Sequence, residues 1–194
     1  MNSLTESEPV FPTLETQRLL LREFNLRDVP AVFEMYARAD INKWLPHEPM
    51  QSIDEADQRV SSRISLFERG IGYRWAITFK DTPETVIGSC GYFHIRLGTQ
   101  TFEMGYEIHP QYWHKRLMTE ALTAIINYGF GDRTPKPVHR FEALVAPGNE
   151  PSIRLLEKLG FKREGLRREF GYWKDQYQDV ELFALLRNEW NAKS

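Results

Sequence analysis

With 194 residues, 41% apolar and 27% charged, the chain has the size and composition of one soluble globular domain with a real core. Lysine and arginine number 25 against 27 acidic residues, a net charge of −2, which argues against bulk or direct nucleic-acid binding. There is no apolar run long enough for a membrane span, the polar N-terminus does not read as a signal peptide, and the single Cys90 allows no internal disulfide, so a cytoplasmic setting is expected.

Residues 1–12 read as a flexible arm and 13–194 as a single domain. The stretch Arg18–Phe24 (RLLLREF) is a short apolar strand. Asn25 can cap a helix whose inward stripe is Val29, Val32, Phe33 and Tyr36. A loop from Asp40 to Met50 carries Trp44. Ser52 with Glu55 has the spacing of a capping box, ahead of a second stripe of Ala56, Val60, Ile64 and Phe67, and Gly70 stops that helix. Three strands follow, Tyr73–Phe79, Thr85–Ile95 and Thr101–His109, joined by short turns as an antiparallel meander. A helix from Leu117 buries Leu117, Ala121, Ala124, Ile125 and Tyr128. After the turn TPKP comes a strand, His139–Ala146. The next helix is punctuated by Asn149 as N-cap, Pro151 in its first turn and Gly160 as its stop. Strands near Lys162–Tyr172 and Gln178–Leu186 close the chain. The order predicts a mixed α/β domain around a central, mostly antiparallel sheet.

Two segments run from strand through tight turn to helix N-terminus: Glu107–Thr119, with the basic triplet His114-Lys115-Arg116, and Ala146–Leu155. A helix N-terminus offers unpaired N–H groups and the positive end of a dipole, so such a place suits an anion. The five histidines have no metal-ligand spacing. Cys90 lies in an apolar strand and reads as buried and inert.

QYWHKRLMTEAL, followed some thirty residues later by NEPSIRLLEKLGF, resembles the GNAT acetyltransferase superfamily, and LETQRLLLREFNLRDV resembles the opening of its RimJ/RimL branch of ribosomal-protein N-terminal acetyltransferases. That resemblance implies a twisted sheet of about seven strands, splayed in the middle, with about four flanking helices. It implies acetyl-CoA as co-substrate and no metal. The donor site would use Ile108, Gln111, His114, Lys115, Arg116, Leu117, Met118, Thr119, Asn149 and Ser152. His114 and Arg116 stand where the family pattern has glycine, which allows close backbone approach to the pyrophosphate; Arg116 is expected to fold over the phosphates and compensate with its charge, the alternative being that it crowds them and weakens binding. Many relatives carry a tyrosine acid where this chain has Leu156, and Ser152 is expected to take that role. The amine must lose a proton, and Glu103 is the first choice of base, Glu142 the second. Trp44, Tyr172 and Trp173 are expected to wall the acceptor pocket. The expected acceptor is a peptide or protein N-terminal α-amine. The alternatives are a small amine such as a polyamine, amino acid or drug, or a non-catalytic CoA-binding relative. A homodimer is compatible with the resemblance.

Overall fold

The computed structural model describes residues 10–131, 134 and 136–191. The expected N-terminal arm lies outside these residues up to Pro9, as does Pro135 of the TPKP turn. Phe11 and Pro12 belong to the packed chain: Phe11 is buried against Phe67 and Trp75, and Trp75 Nε1 donates to Pro12 O at 2.6 Å.

Among the described residues the strands are β1 (Leu14–Glu15), β2 (Leu19–Arg22), β3 (Tyr73–Phe79), β4 (Thr82–Arg96), β5 (Thr101–Ile108), β6 (Arg140–Val145), β7 (Lys162–Trp173) and β8 (Gln176–Leu186). They form one sheet in the order β1-β2-β3-β4-β5-β6-β8-β7. The helices are α1 (Val29–Tyr36), α2 (Ala39–Asn42), α3 (Ile53–Glu68), α4 (Leu117–Phe130), α5 (Glu150–Leu159) and α6 (Arg187–Asn191). The expected count of seven strands and four helices misses β1, α2 and α6. Each has five residues or fewer, too short to carry a periodic signal.

The Asn25 cap forms with Asp28 as its partner, over a 3-10 turn that leads into α1. The expected Ser52–Glu55 box does not close. Ser52 makes no side-chain cap, and Glu55 instead accepts from the Gln51 N–H at 3.1 Å. The strand pairs are antiparallel except β5–β6. These two are parallel because α4 forms the crossover between them.

Side-chain alternation sorts the sheet into two faces. Trp75, Tyr92, Phe102, Met104, Phe141 and Phe183 pack with α4 and α5 in the larger core. Ala76 and Val86 pack with α1 and α3 in the smaller one. The β5–β6 ladder runs only from Thr101↔Arg140 to Met104↔Ala143. Beyond it β5 continues as Gly105–Ile108 and β6 as Leu144–Val145 without pairing, so the sheet opens between them as expected.

Candidate functional site

The opening between β5 and β6 is bordered by two helix N-termini, those of α4 and α5. His109 donates its backbone N–H to Ile87 O at 2.8 Å, toward β4. Backbone groups alternate along a strand, so Ile108, one residue earlier, presents its N–H to the side where β6 has departed. Trp113 Nε1 donates to Ile108 O at 2.9 Å and folds the loop back onto the strand end.

His114 and Arg116 have φ of 61° and 60°, the left-handed region. The backbone therefore has the shape a glycine would adopt, and each side chain holds it at a cost of roughly 1–2 kcal/mol. Glu120 N–H donates to Arg116 O, so the amides of Leu117, Met118 and Thr119 are the ones an α-helix leaves without an intrahelical acceptor. The side chains of Leu117 and Met118 are buried in the core. These two can meet an anion only through backbone N–H. Gln111, His114, Lys115 and Arg116 are exposed. The loop is fixed from behind. Arg18 Nη1 donates to Lys115 O at 3.2 Å, and Glu120 accepts from Thr16 Oγ1 at 2.6 Å and Arg18 Nε at 2.7 Å.

Asn149 caps α5 by accepting from the Ser152 N–H at 3.4 Å. One turn on, Leu156 is fully buried, so the family's tyrosine position is a core position here. Ser152 Oγ lies 2.5 Å from the hydroxyl of Tyr106, on the half of β5 that β6 has left. Sequence reasoning did not single out Tyr106.

On the opposite face Glu103 and Glu142 are register partners. His94 Nδ1 is 3.3 Å from Glu103. Glu142 accepts from Arg96 Nη2 at 2.5 Å and Arg140 Nε at 2.9 Å. Burial works to raise its pKa, but the bonds from Arg140 and Arg96 outweigh it and hold the carboxyl below its ordinary value.

Glu107 shares this face and is the most enclosed carboxylate of the site. It accepts from Arg63 Nη2 at 3.0 Å, and from Arg74 and Ser89 in shorter bonds. Arg63 also donates to Tyr36 Oη at 2.5 Å, and Arg74 Nη1 to Gly105 O at 2.7 Å. Burial raises the Glu107 pKa, yet the two guanidinium groups and the bonds from Arg74 and Ser89 win, leaving it at about 2. Glu107 is therefore a fixed anion and a poor base. Two sequence signals point to this network: Arg74 inside the apolar YRWAITF, and Arg63 on the inward stripe of α3.

The three aromatic residues separate. A Cβ on Gly148 would meet Trp44 at 3.9 Å, so Trp44 stands beside the β6–α5 loop. Lys174 Nζ donates to Asn42 O at 2.6 Å, tying the β7–β8 hairpin tip to the segment that carries Trp44. Trp173 folds over Gly171. Tyr172 is 61% exposed with its ring 5.2 Å from Tyr177, and alternation turns it away from Trp173's face. Tyr172 and Trp173 therefore do not line one wall together. Cys90 is buried and its thiol is pushed up to about 12 by that burial, which leaves it too little thiolate to act as a nucleophile. No group of three or more metal-ligating side chains occurs among the described residues, and no helix is long and apolar enough to cross a membrane.

Residues 18–162 match the family model of the acetyltransferase (GNAT) domain. The chain is 32% identical over 178 residues to the uncharacterized N-acetyltransferase YoaA of Bacillus subtilis (strain 168), covering 92% of this chain and 98% of that one. It is 30% identical over 182 residues to the [ribosomal protein uS5]-alanine N-acetyltransferase of Escherichia coli (strain K12), covering 91% and 92%. A GNAT-family acetyltransferase crystal structure from Bacillus anthracis superposes with a TM-score of 0.79 at 26% identity, over 92% of this chain and all of that one. RimL in complex with coenzyme A, at 21% identity and a TM-score of 0.78, shares the fold over 90% and 98%.

Proposed function

Because this chain belongs to the GNAT acetyltransferase family, with acetyl-CoA as acyl donor, we propose that it acetylates the N-terminal α-amine of a peptide or protein by direct transfer in a ternary complex. The observation that carries the reading is the parting of β5 from β6 beside two helix N-termini, with bare amides at Leu117–Thr119 and Ile108. The residues fit the donor. His114 and Arg116 turn the chain with left-handed backbone into α4, whose first amides are free of intrahelical acceptors, and Lys115 and Arg116 would add charge for a pyrophosphate. The Ile108 N–H would polarise the thioester carbonyl, and Asn149 would meet the pantetheine arm.

The amine would enter from the α1/α3 face, past Trp44 and Trp173, and lose its proton to Glu103 directly or through water. The acceptor side supports an α-amine over a polyamine. Its buried carboxylate, Glu107, is neutralised by Arg63 and Arg74, and Lys43, Arg59 and Lys174 stand around Tyr36, Trp44 and Asn42. A polycation needs the reverse balance. The relative named as a [ribosomal protein uS5]-alanine N-acetyltransferase points the same way. A single domain over 13–194 and a cytoplasmic location, where acetyl-CoA and peptide α-amines meet, belong to this reading.

The test is acetyl-CoA turnover over a set of N-terminal peptides and small amines. Alanine-initiated peptides should exceed spermidine in kcat/KM by at least about tenfold, the effect of one well-placed hydrogen bond. Faster turnover of spermidine would move the assignment to small amines.

A further inference from the structure

Ser152 has a fixed neighbour on the strand, the phenol of Tyr106. Tyr106 lies two residues beyond the last residue of β5 that pairs with β6, its side chain on the α4/α5 side, packed against the larger core. Its hydroxyl is 2.5 Å from Ser152 Oγ. Leu156, where relatives place a phenol on the helix, is one turn farther along the same face of α5 and fully buried. A phenol thus reaches the start of α5 from the strand, while none comes from the helix.

Geometry alone leaves open which hydroxyl donates, and acidity decides it. A phenol is a far stronger acid than an aliphatic alcohol, which favours Tyr106 as the donor and Ser152 Oγ as the acceptor. That direction frees the Ser152 proton to point elsewhere. Burial raises the Tyr106 pKa, so it remains a donor throughout the neutral range.

We propose that Tyr106 is a positioning residue: by donating to Ser152 it turns the serine O–H toward the departing sulfur of CoA. The proposal rests on the acetyl-transfer reading above. When the C–S bond of the tetrahedral intermediate breaks, the electron pair goes to sulfur. The thiol has a pKa of about 8.5, so full proton transfer from either hydroxyl would be uphill. The pair instead holds the thiolate by a directed O–H···S⁻ bond, strengthened because Ser152 is itself an acceptor. The amine's proton leaves through the base to solvent, and the thiolate takes its proton from solvent, so the exchange balances.

The experiment compares Tyr106→Phe, Ser152→Ala and the double variant, using an alanine-initiated peptide and, separately, the slow hydrolysis of acetyl-CoA without acceptor. The same thiolate departs in both, so hydrolysis tests this assignment even if the acceptor assignment fails. Tyr106→Phe should lower kcat about tenfold, the effect of one hydrogen bond, with KM for acetyl-CoA within about twofold. The double variant should be no slower than Ser152→Ala, because both break one chain of bonds. Each defect should shrink with the acetyl selenoester of CoA, whose more stable leaving anion needs less help. Ser152→Ala removes the same bond and carries that comparison if the Phe variant does not fold. Wild-type kcat in Tyr106→Phe, losses that multiply in the double variant, or an equal defect with the selenoester would each overturn the proposal.

Discussion

Glu103 and Glu142 face each other across the β5–β6 pair, one residue before the last paired position, yet only Glu142 is gripped by arginines. Arg96 and Arg140 hold its pKa down and occupy both of its oxygens. Glu103 is met by His94 alone among the described residues and lies beside the opening. Glu103, the proposed base, and the Tyr106–Ser152 pair thus sit on opposite faces, with the opening between them. Glu103→Gln should cut kcat at pH 7 by roughly a hundredfold, within the usual scale of general base catalysis. The loss should shrink as pH rises through the amine's own pKa, about 8 for a peptide. Glu142→Gln should instead lower the melting temperature and leave the shape of the pH profile unchanged. A pH-dependent loss in Glu142→Gln alone would exchange the two roles.

Much of this arrangement is legible in the sequence because it rests on local punctuation. Asn149, Pro151 and Gly160 bracket α5, and the triplet 114–116 marks the start of α4. Parity along β5 places Glu103 and Glu107 on one face. What escapes depends on partners far along the chain. Nothing local says that Glu107 is held by Arg63 and Arg74, 44 and 33 residues away, or that Tyr106 meets Ser152 46 residues on. The stripe of α4 marks Leu117 as a core residue but not Met118, whose side chain is buried as well, so both can meet an anion only through backbone N–H.

The left-handed backbone at Arg116 separates its charge from its shape. Arg116→Gly removes the strain and should hold or raise the melting temperature, while Arg116→Ala keeps the strain. Both lose the guanidinium, so both should bind CoA more weakly, by roughly 1–3 kcal/mol for Ala and by less for Gly. Added salt should narrow the gap to wild type. Calorimetric titration with CoA and with dephosphorylated pantetheine checks this. Tighter binding in both variants would show that the arginine obstructs the phosphates.

Glu107 ties acid stability to the site. Its folded pKa, about 2, lies below the ordinary 4.5. A depressed carboxylate stabilises the fold above its unfolded pKa, and that contribution drains away as pH falls from about 4.5 toward 2. Glu107→Gln should remove this part of the pH dependence. It should also cost about 3–5 kcal/mol at neutral pH, since Arg63 and Arg74 would remain buried without their anion. Urea unfolding of both proteins from pH 3 to 7 measures the two effects. Parallel curves would mean that the carboxylate is not held as described.

The hairpin tip offers a handle on the proposed acceptor side. Lys174 and Asp175 form a tight turn with φ of 54° and 57°, and the Lys174 Nζ–Asn42 O bond fixes that turn against the segment bearing Trp44. Lys174→Gly suits the backbone and removes the clasp, so the fold should hold while the tip comes loose from the loop. Acetyl-CoA is expected at the N-termini of α4 and α5, whose residues take no part in the clasp bond itself. KM for an alanine-initiated peptide should therefore rise by roughly tenfold, as for one lost charge-assisted hydrogen bond, with KM for acetyl-CoA unchanged. Trp44→Ala should raise the peptide KM as well. In the double variant the two losses should fall short of multiplying, because the clasp acts by holding the segment that carries Trp44. A rise in the acetyl-CoA KM with an unaltered peptide KM would move this wall to the donor side.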